Sequence, residues 1–254
     1  MGTSPGREVA RDATAKTSVY LVCSAEPRVG KTLVARLCFD YLASIFDSAV
    51  GFDTNIREPV LASIFPRCTT VIDLASSRGP VLLFDSLIEH DEIPKVVDLW
   101  HVSHETFFLH AEQLNFFEEA ERNHIVPTIF VLADERNRFV PEVARLSAGS
   151  VPLAVALVVN HGVLAKAPET GVARHIITLP KLNQGILKVL LRPYLLYRFI
   201  HAVPAADSDV TLYLRNCLYP FFSQLEDLEV NVALDHGTLR DLTNSEGEPP
   251  VDPA

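Results

Sequence analysis

Val19-Tyr-Leu-Val-Cys-Ser-Ala-Glu-Pro-Arg-Val-Gly-Lys-Thr32 runs from a continuous apolar stretch through a tight loop into the start of a helical pattern. Gly30, Lys31 and Thr32 close the loop, and Leu33 to Leu42 continue with apolar residues at helical spacing. Strand, loop and helix in that order define a phosphate-binding loop, in which successive backbone N–H groups wrap phosphate oxygens at a helix N-terminus. The backbone from Arg28 through Val29, Gly30, Lys31 and Thr32 to Leu33 is the expected cradle. Lys31 adds a point charge on the β and γ phosphates, and the Thr32 hydroxyl is the expected Mg²⁺ ligand. The usual pattern begins with a glycine where this chain has Ala25, a residue that enters a tight turn only if its φ stays negative.

Working outward, seven apolar runs rich in Val and Ile read as strands: Ser18 to Cys23, Ala49 to Asp53, Thr69 to Leu74, Lys95 to Trp100, Ile125 to Ala133, Leu153 to Asn160, and His175 to Leu179. The pieces between them read as helices. Continuous rather than alternating apolar strands are what a parallel sheet covered on both faces requires. The expected fold is therefore a doubly wound, mostly parallel, three-layer α/β/α domain over residues 18–240. Residues 1–17 and 241–254 are polar, small or proline-containing and read as flexible tails, the second of them acidic.

Composition bounds the function. The 254 residues are 48% apolar, ample for a core, which excludes disorder for the body of the chain. No apolar run reaches the roughly 18–20 residues that cross a bilayer, and the N-terminus has charges where a secretory segment is apolar, so a cytoplasmic protein is expected. Four widely spaced cysteines form no C-x-x-C and read as buried reduced thiols. The net charge of −10 argues against bulk attraction to nucleic acid, but residues 170–206 contain no Asp or Glu. Arg174, Lys181, Lys188, Arg192 and Arg198 make that segment the candidate basic surface for nonspecific DNA contact, with Tyr194, Tyr197 and Phe199 interleaved. Lys181, Lys188 and Arg192 share one helical face if a helix runs unbroken between them. A solvated basic face over apolar packing is the alternative.

In a doubly wound sheet ligands sit beyond the carboxyl ends of the strands, so the strand-end residues Asp53, Asp73, Asp98, Asp134 and Asn160 are the candidates for function. Mg²⁺ needs a carboxylate on a strand beside the phosphate loop, and Asp73 and Asp98 compete for that position. The ordinary use of such an Asp is to cap the next helix. His101 and His104 form an H-x-x-H motif, with no acidic or cysteine ligand spaced to complete a metal site, and read as solvated or capping side chains.

These segments together resemble the MinD/ParA family of deviant P-loop ATPases: Cys23 to Thr32, Phe52-Asp-Thr-Asn-Ile-Arg57, Val71-Ile-Asp-Leu-Ala-Ser-Ser-Arg78, Val96-Val-Asp98 and Val158-Val-Asn160, in strand order over about residues 18–190. The resemblance implies ATP and Mg²⁺ as ligands, with Thr32 and Asp98 at the metal, Lys31 and Asp53 in catalysis, and Asp53 orienting the attacking water. It implies that Asn160 reads the adenine edge while Pro180 and Asn183 belong to the segment closing over it. It further implies a nucleotide-dependent homodimer, an activating protein, and a role in positioning or partitioning DNA, a plasmid or a cellular complex. The family's signature lysine and two glycines are replaced here by Glu26, Pro27 and Arg28. Slow turnover, a non-hydrolysing interaction protein, and an ATP-dependent metabolic enzyme on the same fold all stay open.

Overall fold

The seven apolar runs form seven strands: β1 (Thr17–Cys23), β2 (Val50–Asp53), β3 (Thr69–Val71), β4 (Lys95–Asp98), β5 (Ile125–Leu132), β6 (Ala154–Asn160) and β7 (His175–Leu179). All pair in parallel, in the order β3-β2-β4-β1-β5-β6-β7. Between and after them lie α1 (Lys31–Ile45), α2 (Val60–Ile64), α3 (Gly79–Ile88), α4 (His104–Gln113), α5 (Phe116–Arg122), α6 (Phe139–Ser147), α7 (Gln184–Leu190), α8 (Leu196–Ala202) and α9 (Asp209–Ser245). The computed structural model describes residues 16–148, 153–164, 168, 171, 173–202 and 209–245, with backbone alone at 202, 209–210 and 235–245.

Alternation along the strands divides the core in two. Tyr20 and Val22 of β1 face a cluster with Val96, Phe130, Val158 and Ile177, covered by α1, α2, α7, α8 and α9. Val19, Leu21 and Cys23 face the opposite cluster with Val97, Ile129, Val131 and Leu157, covered by α3, α4, α5 and α6. Helices on both faces of a parallel sheet give the three-layer α/β/α fold. Burying each such aliphatic side chain contributes roughly 1.5–3 kcal/mol, so strands that are apolar on both faces belong between two layers.

Two tail boundaries move. Thr17 belongs to β1: its N–H donates to His124 O (3.1 Å) and it lies opposite Ile125. At the other end α9 continues past Asp241 to Ser245, because no proline follows Pro220 before the helix stops and each added residue gains a backbone hydrogen bond. Residues 1–15 and 246–254 of the expected tails lie outside the described residues.

β7 is an edge strand, and α9 covers its open side. Thr178 N–H donates to Gln224 Oε1 (2.8 Å), and Gln224 Nε2 donates back to Thr178 O (3.2 Å). On the same face of the sheet, Arg36 and Asp40 of α1 form a fully buried ion pair. Arg36 Nε donates to Leu190 O (3.0 Å), while Asp40 accepts from the amides of Leu196 (2.9 Å) and Tyr197 (3.1 Å). This pair ties the helix after the loop to α7 and α8.

β1 sits centrally, between β4 and β5, with β2 and β3 beyond β4 and β6 and β7 beyond β5. The loop that follows it therefore opens at the switch point of the sheet, where such folds bind ligands.

Candidate phosphate site at the end of the central strand

The loop makes its turn with two left-handed residues. Arg28 has φ 61° and Gly30 has φ 100°, whereas Ala25 is absent from the positive-φ residues, as its Cβ requires. Ser24 Oγ accepts from Glu26 N–H (3.1 Å) and closes the first bend. Gly30 then caps α1 without a side chain, leaving the first amides of a 15-residue helix with no intrahelical acceptor. Lys31 is buried, and its Nζ donates to Glu26 O (2.6 Å). Burial pushes its pKa down, while the Asp98 carboxylate acts in the opposite direction. Val29 is buried beneath the loop, and Leu33 lines an apolar groove between α1, α2 and α7 that reaches Thr32.

β1 pairs directly with β4, with Val22 opposite Asp98, and β3, which precedes Asp73, lies at the sheet edge. Sheet order thus separates the two competing aspartates. The Thr32 side chain is close enough to Asp98 to favour its charged form, whereas Asp73 Oδ1 accepts from Ala75 N–H (2.9 Å) in its own turn. Burial raises the Asp98 pKa to about 7, with neighbouring Asp53 adding to the rise and Thr32 and Lys31 opposing it. Thr54 staples the ends of the neighbouring strands. Its Oγ1 donates to Asp98 O (3.2 Å) and accepts from Trp100 N–H (2.7 Å). Trp100 carries the Arg57 guanidinium over its ring at 5.7 Å. His101 follows, its pKa lowered by burial and then by Lys31.

Asp53 lies opposite Asp98 in the register and is fully buried. Its Oδ1 accepts from Asn55 N–H (3.0 Å) and its Oδ2 from Leu61 (2.9 Å) and Ala62 (3.4 Å) N–H. Burial raises its pKa despite these three bonds. In this arrangement Asp53 holds the start of α2.

Asn160 is brought to the loop after β1. Its Nδ2 donates to Val29 O (3.0 Å) and its Oδ1 accepts from Gly162 N–H (2.9 Å). Pro180 follows β7, half-buried. Asn183 caps α7, accepting from Ile186 N–H (2.9 Å) and donating to Tyr213 Oη (2.8 Å).

Glu26, at the position where the resembled family carries lysine, forms an ion pair with Arg138 at the start of α6. Nothing in the local sequence signals this partner, more than a hundred residues away.

Several expectations are corrected here. His104 is buried rather than solvated, and it meets Cys23 and Glu142, ligand types contributed by distant elements that no local spacing displays. Cys68 is exposed, since it follows the short α2 at the sheet edge rather than entering a core strand. Lys181 lies outside α7, because Asn183 caps that helix, so Lys181, Lys188 and Arg192 do not share one helix. Arg198 pairs with Asp47 and donates to the carbonyls of Ala43 (3.2 Å) and Ser44 (3.1 Å), closing the end of α1. Lys181, Lys188, Arg192 and Arg174 are exposed. No helix among the described residues is long and apolar enough to cross a membrane.

No family model matches the chain, and no curated protein matches it.

Proposed function

We propose that this chain is an ATP-binding molecular switch of MinD/ParA type that hydrolyses ATP slowly or under the control of a protein activator. The observation that supports this most directly is the convergence of Lys31, Thr32 and Asp98. The first two open α1 at the end of the central strand, and Asp98 ends the adjacent strand, close enough for Thr32 and Lys31 both to favour its charged form. Donor chemistry fits a polyphosphate. Lys31 Nζ rests on a neutral carbonyl, for which a phosphate oxygen is a stronger, charge-assisted replacement. Thr32 and Asp98 would hold Mg²⁺, which supplies charge neutralisation on the β and γ oxygens. The protein's own part is to position the phosphates and exclude alternatives by rigid backbone.

Asp53 favours a second reading. Its carboxylate is engaged by three amides that hold the start of α2, so its freedom to orient a water is limited while α2 stays in place. Nucleotide binding without turnover, until a partner rearranges this segment, follows from that geometry. In either reading the nucleotide-bound form is a homodimer that positions or partitions a cargo. Arg174, Lys181, Lys188 and Arg192 are the surface offered to DNA.

Calorimetric titration of Mg²⁺–ATP into wild type and Lys31→Ala, with phosphate release followed in parallel, tests the proposal. Wild type should bind and the variant should bind at least about tenfold more weakly, the lost charge-assisted bonds being worth about 1.5–3 kcal/mol. A folded wild type that takes up no nucleotide ends the reading. Binding without phosphate release selects the second form. Light scattering with ATP checks the dimer, and a DNA-binding salt slope that falls by about one unit for Lys188→Ala checks the basic surface.

A further inference from the structure

Beyond the phosphate loop, three metal-ligating side chains converge from three separate elements. Cys23 ends β1, His104 opens α4 and Glu142 lies in the first turn of α6, and their ligand atoms all fall within 4.8 Å of one another. The Cys23 thiol is completely buried, and the His104 and Glu142 side chains are 9% and 11% exposed. His104 Nε2 and Glu142 Oε1 approach to 2.6 Å, an ion-pair contact, and neither atom has a further partner. Two buried polar side chains in contact, beside a buried thiol, form a set of ligand types that a cation could hold together.

We propose that Cys23, His104 and Glu142 form a zinc site at the foot of the phosphate loop. One sulfur, one imidazole nitrogen and one carboxylate oxygen are the ligand types that Zn²⁺ takes in tetrahedral geometry. Metal–ligand bonds of about 2.0–2.3 Å place such ligand atoms about 3.3–3.6 Å apart, so small side-chain rotations bring this cluster to a coordinating geometry. Thiolate and carboxylate together neutralise Zn²⁺, which removes the charge that burial would otherwise penalise. Three protein ligands leave the fourth corner to water, which reaches it past the slightly exposed edges of His104 and Glu142. Binding releases the thiol proton to solvent and consumes no other reactant. The site is independent of nucleotide, and it would pin the residue preceding Ser24 to α4 and α6.

The test uses the tag-free full chain, stripped with chelator, in a Cys68→Ser, Cys217→Ser background that removes the two more accessible thiols. Cobalt(II) added at equimolar ratio should give a thiolate-to-cobalt charge-transfer band in the near ultraviolet with the visible bands of a four-coordinate site. Zn²⁺ should displace it. Cys23→Ser should lose the charge-transfer band. Glu142→Gln, which keeps the side chain's size and shape, should keep the fold by circular dichroism and weaken zinc at least about tenfold, the scale on which even outer-shell changes act. Should Cys23→Ser not fold, the Glu142→Gln affinity decides. Absence of the cobalt band in the folded background protein overturns the proposal. So does a band unchanged in folded Cys23→Ser, or a zinc affinity unchanged in Glu142→Gln.

Discussion

The Asn160 side chain occupies the space that a side chain on Gly30 would need: a Cβ there would lie 2.4 Å from Asn160 Nδ2. The same amide nitrogen donates to Val29 O, so the strand-end asparagine braces the loop from behind. Gly30→Ala meets both this contact and a φ of 100°, and it should destabilise the protein by about 1–3 kcal/mol and abolish nucleotide binding. Asn160→Ala should cost about 1–2 kcal/mol and weaken ATP and GTP by the same factor. A loss confined to ATP in a competition titration would instead make Asn160 a base reader.

Asp98 makes the site pH-dependent. With its folded pKa near 7 against an unfolded value of about 3.9, the folded apo protein holds the extra proton. The associated stability is present below about pH 4 and is withdrawn as the pH rises to about 7. Asp98→Asn should flatten that slope in urea titrations and stabilise the apo protein at pH 8 by on the order of 3 kcal/mol. On the proposed function, in which the carboxylate holds Mg²⁺, Mg²⁺–ATP should bind wild type more tightly as pH rises from 5 to about 7. Calorimetry at pH 6 in buffers of different ionisation enthalpy should register proton release, and a signal with no buffer dependence would contradict the assignment.

Glu26 and Arg138 form a charge pair at the mouth of the loop. Arg138 is half exposed, so the pair itself contributes only about 0.2–1 kcal/mol to stability. Its effect on binding is larger in kind: Arg138→Ala leaves Glu26 facing incoming phosphate and should weaken ATP several-fold. Glu26→Ala in that background should restore the affinity. A double-mutant cycle in nucleotide affinity measures the coupling, and additive losses would place Arg138 in direct contact with the ligand instead.

Arg36 and Asp40 are buried together, with burial raising the Asp40 pKa and Arg36 holding it down in opposition. Asp40→Ala strands the guanidinium and should cost about 3–5 kcal/mol in chemical denaturation. The double change Arg36→Met, Asp40→Leu should recover much of that loss, although the uncapped amides of Leu196 and Tyr197 retain part of it.

Much of this architecture is legible along the chain. All seven strands fall within a few residues of the apolar runs that announce them, because strands covered on both faces are apolar at most positions, as β1 from Val19 onward and β5 apart from Thr128 are. The loop after β1 is equally local: its turn, glycine and helix start are consecutive residues. Where the reading slips, long-range pairing is the cause. Thr17 looks like tail until Ile125 is opposite it, and His104 looks solvated until α6 supplies Glu142.

The sequence by itself determined the parallel sheet and the Gly30-Lys31-Thr32 turn, since both rest on periodicity and backbone chemistry carried by adjacent residues. Only the tertiary structure set Asp98 on the strand beside the loop and Asp73 at the sheet edge, set Asn160 against the loop, gave Glu26 its arginine, and gathered Cys23, His104 and Glu142. Each of these depends on which strands lie side by side, and that order is a property of the packed sheet, invisible to any window of neighbouring residues.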